Sequence, residues 1–224
     1  MSKYDSLFEK GYYFGDLSEM SFDVDEYNQK CKEIYTFAEN KEKYFEYFNI
    51  CMDLPHRIPY TERENRLKII AENPRINPFN SANNLLYLEE TKPYLNYFTN
   101  LVFDFIPTVY PHLTKDMLGI NPSIQMYQDG DFQQAHHDGH IDLCVFLLYF
   151  SDPLTYNHTG RLQIYEGRDS FNIVDMIDPI SGKFAIFDTV NHDPKHRVEK
   201  VTGDFKRFSF LGQLSNLSRQ KILI

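Results

Sequence analysis

The spacing of apolar positions changes about halfway along the chain. In the first half they recur three or four residues apart over Asp25–Phe48, and again from Pro93, a residue suited to a first helical turn, to Pro107. The first stripe consists of Tyr27, Cys31, Ile34, Ala38, Phe45 and Phe48. The second consists of Phe98, Leu101, Val102 and Phe105. Because this spacing places apolar side chains on one helix face, it predicts two long helices.

Shorter helical segments are predicted between these two. They cover Glu62–Ala71 and Ser81–Glu89, and the segment Asn73–Asn80 that separates them is rich in Asn and Pro. Such a composition is typical of a loop.

After about residue 120 the pattern is typical of short strands separated by Gly-containing turns, such as Asp129-Gly and Ser181-Gly. The predicted strands are Ser123–Tyr127, Phe132–Asp138, Leu143–Phe150, Leu162–Tyr165, Phe171–Val174, Lys183–Phe187, His196–Val201 and Arg207–Leu211. Strands after a helical half predict a mainly β fold with helices: a double-stranded β-helix (jelly roll, cupin-like) with an α-helical N-terminal half packed on it. We expect a single domain over 1–224, with a helical part at 1–119, a jelly-roll catalytic core at 120–214 and a C-terminal tail at 215–224.

Charge and cysteine content narrow the classes of function. The chain of 224 residues has 32 acidic and 23 basic residues, a net charge of −9, and no Lys/Arg cluster along its sequence. We therefore expect no nucleic-acid partner. The cysteines Cys31, Cys51 and Cys144 form no CxxC pair, and neither an apolar leader nor a run long enough to span a bilayer is seen. These features indicate a cytoplasmic protein with no membrane partner.

The pair His136 and Asp138 is the first candidate for chemistry. Residues two apart in an extended strand point to the same face, so an imidazole and a carboxylate would lie together. Two histidines and one carboxylate commonly hold Fe(II) in oxygenases and leave other positions open. A third ligand is then required, and His196 begins a later strand-like run.

The remaining histidines are weaker candidates. His137 should face the opposite side of its strand and is interpreted as structural, whereas His140 and His192 lie in turns and remain rival ligands. The others lie in loop-like settings and are not assigned to the site; they are His56, His112 and His158.

Further motifs follow in a fixed order around this pair. They are Tyr127-x-x-Gly130-x₅-His136-x-Asp138, the apolar strand Cys144–Phe150, Gly160-Arg-Leu162, Asp178-Pro179, Gly182-Lys-Phe184, His196-Arg-Val198 and Arg207-Phe-Ser209. This series, over roughly Pro122 to Leu214, resembles the prolyl-4-hydroxylase-like branch of the 2-oxoglutarate/Fe(II)-dependent dioxygenase superfamily. A single glycine, Gly160, stands where family members often have a pair.

The resemblance implies a role for each matching residue. His136, Asp138 and His196 would be the iron ligands, with Fe(II), 2-oxoglutarate and O₂ as cofactor and cosubstrates. Arg207 would bind the distal carboxylate of 2-oxoglutarate, with Ser209 and Tyr127 adding hydrogen bonds. A guanidinium suits that task because its planar fork matches a carboxylate. The retained Asp138 disfavours halogenation, since halogenating relatives lack this carboxylate.

The resemblance does not identify the molecule that is oxidised. We expect hydroxylation of an unactivated C–H bond of a small molecule, such as an amino acid or biosynthetic intermediate. A peptidyl (prolyl-type) hydroxylase is the alternative; non-redox metal-binding jelly-roll and helical interaction proteins are alternatives from other classes. The helical half and residues 151–159 are expected to shape the substrate pocket, with Arg57, Arg161, Tyr12 and Tyr13 as candidate lining residues. The oligomeric state is left open.

Overall fold

Twelve strands form an antiparallel, nearly closed sheet in the part of the chain that the structure, a computed structural model, describes: residues 3–51, 54–59, 78–139 and 143–220. The strands are β1 (Tyr12–Asp16), β2 (Phe45–Cys51), β3 (Leu54–Pro59), β4 (Pro78–Leu85), β5 (Leu118–Tyr127), β6 (Phe132–His136), β7 (Cys144–Tyr149), β8 (Leu162–Tyr165), β9 (Ile173–Ile177), β10 (Lys183–Asp188), β11 (His196–Val198) and β12 (Arg207–Asn216). The helices are α1 (Asp5–Lys10), α2 (Val24–Glu39), α3 (Lys41–Tyr44), α4 (Lys92–Val109) and α5 (Leu217–Gln220).

The strands are arranged as two runs that one strand joins. The first run has the order β1-β10-β7-β12-β5, and the second has the order β6-β11-β8-β9. Strand β4 pairs with both β5 and β6, while β2 pairs with β4 and β3. This double-sheet arrangement confirms the predicted jelly roll.

Period-two alternation divides the strand side chains between two cores. In β7 every residue is buried. Cys144, Phe146 and Leu148 pack in the core shared with the helices, whereas Val145 and Leu147 pack inside the barrel. A continuous apolar strand is what a sheet covered on both faces requires.

The two long helices cover the outer face of the first run. Helix α2 begins after Asp23, whose carboxylate accepts hydrogen bonds from the backbone N–H of Asp25 and Glu26. Helix α4 has Pro93 in its first turn and continues two residues beyond Pro107. The buried face of α4, which includes Phe98 and Phe105, holds this last turn against the sheet.

Several boundaries in the first 119 residues were predicted wrongly. The helix expected up to Phe48 ends at Glu39, and Phe45 begins β2. The helix expected over Ser81–Glu89 is largely β4, which also includes the end of the loop expected over Asn73–Asn80. In both places pairing with neighbouring strands overrides the local pattern, because β4 lies between β2 and the barrel. The helix expected over Glu62–Ala71 lies outside the described residues.

The eight strands predicted after residue 120 are all present, with shifted ends. Strand β5 begins at Leu118, and β12 continues through Asn216 into the short helix α5. Within the described residues, no helix is both long and apolar enough to cross a membrane.

Candidate metal centre and cosubstrate cavity

Two adjacent strands bring His136, Asp138 and His196 together. His136 ends β6 and His196 begins β11, and the two residues are direct Cα partners in the antiparallel pair. Asp138 Oδ1 lies 3.5 Å from His136 Nε2, and Asp138 Oδ2 lies 3.6 Å from His196 Nε2. One potential ligand atom from each residue lies within 4.8 Å of the others. The three side chains predicted from the sequence therefore form one cluster.

Backbone carbonyls orient both imidazoles of this cluster. Nδ1 of His136 donates to the carbonyl of Gln134, and Nδ1 of His196 donates to that of Pro194, each at 2.9 Å. A proton on Nδ1 leaves Nε2 as the bare lone pair, which is the state a metal requires. The ring of Phe187 also stacks on His196 with centroids 4.5 Å apart.

The electrostatics of the cluster favour neutral imidazole and ionised carboxylate. Burial lowers the pKa of His196. Burial alone would raise the pKa of Asp138, but the nearby imidazoles of His196 and His136 bring it below its usual range. Asp138 Oδ2 is buried and accepts no hydrogen bond from the described residues. A carboxylate oxygen without a donor among the described residues, close to Nε2 of His196 and in the same cluster as His136, fits a divalent cation such as Fe(II).

Asp193 holds the turn that carries Asp138 and was not predicted from the sequence. Its carboxylate accepts the backbone N–H of Asp138 at 3.0 Å and that of Gly139 at 3.3 Å, and its carbonyl accepts Nδ1 of His137 at 2.7 Å. Asp193 has φ +46°. Its setting, Asn-His-Asp-Pro, indicated only a turn, because the contact joins segments far apart in sequence.

One cavity inside the barrel connects the metal cluster with Arg207. It is lined by Gln125, Tyr127, Gln133, His136, Asp138, Val145, Leu147, Leu162, His196, Val198, Arg207 and Leu211. We call it the central cavity. It has imidazole and carboxylate groups at one place on its wall and a guanidinium at another, separated by apolar side chains.

Arg207 is buried in the barrel, with 1% of its surface exposed. Its guanidinium lies over the rings of Tyr127 and Tyr149, 4.7 and 5.1 Å from their centroids, and donates to Ser209 Oγ at 3.2 Å. Nε has no hydrogen-bond partner, and no carboxylate of the described chain lies within ion-pair distance. Because a buried charge is costly unless paired, this arrangement fits an anionic ligand.

Tyr127 and Gln133 lie between the metal cluster and Arg207. Tyr127 is the Cα partner of Arg207, and its hydroxyl lies 3.5 Å from Gln133 Oε1. Burial raises the pKa of Tyr127 to about 12, so its hydroxyl keeps its proton at neutral pH. The amide of Gln133 also lies 3.1 Å from His136 Nε2. Gln133 is a second residue that sequence reasoning missed.

Gly160 packs directly against Arg207. Its φ is +69°, and a Cβ at this position would lie 2.8 Å from Val201 Cγ2 and 3.3 Å from Arg207 Cδ. A side chain here would therefore displace the arginine or the strand behind it. The single glycine of this turn therefore has a packing role beside Arg207.

Among the histidines whose side chains the structure describes, only His136 and His196 belong to the cluster. His137 Nδ1 donates to the carbonyl of Asp193, and His192 Nε2 donates to the carbonyl of Phe8; neither belongs to the cluster. His112 and His158 are exposed. His140 lies outside the described residues, and His56 belongs to β3 with no described side chain.

The expected pocket-lining residues are divided among several places. Tyr12 lines a second pocket of about 250 Å³, at the barrel end where β6 ends and β11 begins. This mouth pocket is lined by Lys10, Tyr12, His137, Ile164, Tyr165, Gly167, Arg168, His192, Asp193, Pro194 and Lys195. Tyr13 instead donates to Glu19, and Arg161 pairs with Glu199 beside a more open pocket. Arg57 lies in β3 with no described side chain, and none of residues 151–159 lines the central cavity or the mouth pocket.

Comparison with known proteins relates part of the chain to one superfamily. Residues 122–215 match the model of the 2OG-Fe(II) oxygenase superfamily. No curated protein matches the sequence significantly. The fold is similar to a Pseudomonas putida prolyl-4-hydroxylase (TM-score 0.57, 14% identity, 95% of this chain and 96% of that chain).

Two further solved structures share the fold. One is a Trichoplax adhaerens prolyl hydroxylase in complex with a hypoxia inducible factor peptide fragment (TM-score 0.61, 16% identity, 97% of this chain and 89% of that one). The other is a Burkholderia pseudomallei oxidoreductase of the 2OG-Fe(II) oxygenase family (TM-score 0.58, 12% identity, 95% and 89%). Residues 122–215 therefore match the 2OG-Fe(II) oxygenase superfamily, and the chain has a prolyl-4-hydroxylase-like fold. It is a dioxygenase whose cofactor and cosubstrates are Fe(II), 2-oxoglutarate and O₂.

Proposed function

We propose that this dioxygenase hydroxylates an unactivated C–H bond of a small molecule, such as an amino acid or biosynthetic intermediate. His136, Asp138 and His196 hold Fe(II). Arg207 binds the distal carboxylate of 2-oxoglutarate, with Ser209 orienting the guanidinium and Tyr127 donating a hydrogen bond to the cosubstrate. The observation that carries the proposal is the central cavity, which joins a two-histidine, one-carboxylate cluster to a buried arginine without a described acidic partner.

The residues of the chain act by position and charge. When bound, Fe(II) and 2-oxoglutarate supply the oxidation, in which decarboxylation to succinate is coupled to insertion of one oxygen atom into a C–H bond. Asp138 and the two imidazoles would hold Fe(II) with three protein ligands, a set that leaves positions open for cosubstrate and O₂ in non-haem iron oxygenases. Arg207 fixes the cosubstrate at its far end through a charge-assisted, planar contact. The apolar side chains Val145, Leu147 and Leu162 exclude water from the space between.

The first test is an anaerobic absorbance titration of the metal-free chain with Fe(II) and 2-oxoglutarate. We expect a visible metal-to-cosubstrate charge-transfer band, weakened in both Asp138→Ala and Arg207→Ala. The matched control is Arg161→Ala, which removes an arginine paired with Glu199 outside the cavity and should leave the band unchanged. No band from folded, iron-loaded protein would contradict the assignment and favour a non-redox metal-binding jelly roll.

The small size of the mouth pocket supports a small-molecule substrate, because about 250 Å³ is at the lower end of ligand pockets. The test is succinate formation with free amino acids and related acids, compared with peptides that contain the same residues. We expect stimulation by the free compounds. Stimulation by peptides alone would replace the proposal with a peptidyl hydroxylase.

A further inference from the structure

Basic side chains that are far apart in sequence meet around the mouth pocket. Lys10, Arg168 and Lys195 all line it. Asp193 is the one carboxylate among the residues lining this pocket, and its oxygens already accept hydrogen bonds from the backbone of Asp138 and Gly139. The pocket is therefore positively charged in a chain whose net charge is −9. No cluster in the sequence indicated this.

The cations of the mouth pocket differ from those beside the more open pocket. There, Arg161 donates to both carboxylate oxygens of Glu199, at 2.8 and 3.1 Å, and Lys183 Nζ lies 2.7 Å from Asp16. Around the mouth pocket, no described carboxylate lies within ion-pair distance of the three basic groups. An anionic ligand would therefore contact basic side chains that form no ion pair with a described carboxylate.

Three side chains of the mouth pocket are already held in place by contacts within the chain. Lys195 Nζ donates to the carbonyl of Ser170 at 3.0 Å and lies 4.4 Å from the centroid of the Phe171 ring. His137 and His192 are each anchored through one ring nitrogen to a backbone carbonyl. Groups fixed before binding lose less conformational entropy when a ligand arrives.

The mouth pocket adjoins the metal cluster. Ile164, which lines it, is the Cα partner of His196. Tyr12, which also lines it, is the Cα partner of Phe187, whose ring stacks on His196. His137 also lines the pocket, and it lies between His136 and Asp138 in the sequence. Residues that line the mouth pocket are therefore direct neighbours of the metal cluster.

We propose that the mouth pocket binds a carboxylate or phosphate group of the molecule that is oxidised, so that the substrate is a small anion held by Lys10, Arg168 and Lys195. This inference rests on the proposed function, because it assigns the substrate class of the same metal site. The volume of about 250 Å³ accommodates such a group together with a few more atoms.

The test is calorimetric titration of the full chain, loaded with Co(II) and 2-oxoglutarate, with inorganic phosphate and separately with acetate. The cosubstrate fills the site at Arg207, so that the added anion cannot bind there. We compare Lys10→Gln/Arg168→Gln with Lys32→Gln/Lys200→Gln. Both double variants remove two positive charges from exposed residues, but only the first pair lines the pocket.

We expect the pocket variant to weaken binding of the preferred anion about tenfold or more, as the loss of two charge-assisted contacts implies. The surface variant should bind as the wild type does. The anion that binds more tightly identifies the group as phosphate or carboxylate. Equal weakening in both variants, or no binding of either anion to the wild type, would overturn the proposal.

Proximity to the metal is measured separately, through ³¹P relaxation of phosphate or ¹³C relaxation of labelled acetate in the Co(II)-loaded chain. Enhancement by bound Co(II) that disappears in the pocket variant supports the inference, and anion binding without enhancement contradicts it. The two proposals fail in different ways. A missing Fe(II)–2-oxoglutarate band would contradict the proposed function. The difference in anion binding between the pocket variant and the surface variant can still be measured in the unloaded chain, because both variants keep Arg207.

Discussion

At the scale of single residues, the buried side chain of Arg207 is constrained on several sides. Arg207 is buried between two tyrosine rings, donates a hydrogen bond to Ser209 and packs against Gly160. Its position therefore depends on shape as well as charge, since both rings and the glycine limit where the guanidinium can lie.

Replacing this arginine by lysine should weaken cosubstrate binding although the charge is kept. Arg207→Lys removes the planar fork and the stacking on Tyr127 and Tyr149, so we expect the Kd of 2-oxoglutarate to rise about tenfold or more. The measurement is the 2-oxoglutarate dependence of the visible band at saturating Fe(II). Arg161→Lys is the control. An unchanged Kd in Arg207→Lys would show that charge alone is sufficient.

Asp193 should act as a positioning residue for the metal centre. Asp193→Ala removes the acceptor of the Asp138 and Gly139 N–H groups, and alanine tolerates φ +46° poorly. We expect metal affinity to fall about 10- to 100-fold, as for other groups that orient ligands. Competition with a Co(II) chelator measures it.

The conservative variant separates positioning from general damage. Asp193→Asn keeps one oxygen acceptor and the tolerance for positive φ, so it should retain most of the affinity. Wild-type affinity in Asp193→Ala would remove Asp193 from the metal centre's supporting contacts.

At the scale of elements, β4 depends on polar contacts rather than on an apolar pattern. Ser81 and Asn83 are buried in it, and both donate to the carboxylate of Asp131, at 2.6 and 3.3 Å. The same carboxylate accepts the backbone N–H of Gln128. Asp131 therefore ties β4 to the turn between β5 and β6, the strand that ends in His136.

Loss of this carboxylate should destabilise the fold. Asp131→Ala leaves several buried donors unsatisfied, and we expect the free energy of unfolding to fall by about 3 kcal/mol. Urea denaturation followed by circular dichroism measures it, and Asp169→Ala, at an exposed position, is the control. A loss no larger than that of the control would refute the role assigned to Asp131.

The same contacts explain which elements the sequence could predict. Strands such as β7 can be predicted from their local sequence, because a short apolar run between turns is typical of a sheet covered on both faces. Strand β4 has the composition Pro-Phe-Asn-Ser-Ala-Asn-Asn-Leu and becomes a strand through β2, β5 and Asp131. No local pattern contains that information.

The residues of the candidate site also differ in whether the sequence alone could predict them. His136 and Asp138 followed from a spacing of two, and His196 and Arg207 from the order of motifs in a resembling family. Asp193, Gln133 and the basic mouth pocket depend on contacts between segments distant in sequence, so they became visible only in the folded chain.

At the scale of the whole molecule, an aromatic core joins the helices to the barrel. Phe98 on α4 stacks on Phe150 and Phe210, with ring centroids 5.1 and 5.7 Å apart, and meets Tyr27 of α2 edge-on. It belongs to the core outside the barrel, which is separate from the central cavity.

Truncation in this core should cost stability without altering the site. Phe98→Ala should lower the free energy of unfolding by about 3–5 kcal/mol, since it leaves a cavity between helix and sheet. Urea denaturation provides the measurement, with Phe171→Ala, 83% exposed, as a control expected to change stability by less than about 0.5 kcal/mol. Metal affinity of the folded variant should equal that of the wild type, and a large loss of affinity would contradict the separation of the two cores.

The central cavity and the mouth pocket have no lining residue in common. Substitutions of Lys10, Arg168 and Lys195 can therefore accumulate without altering the side chains of the metal cluster or Arg207. During evolution, the reaction can therefore be conserved while the substrate changes. A laboratory that selects new activities has the same freedom: Lys10, Arg168 and Lys195 are the positions to randomise, and the barrel interior is the part to leave untouched.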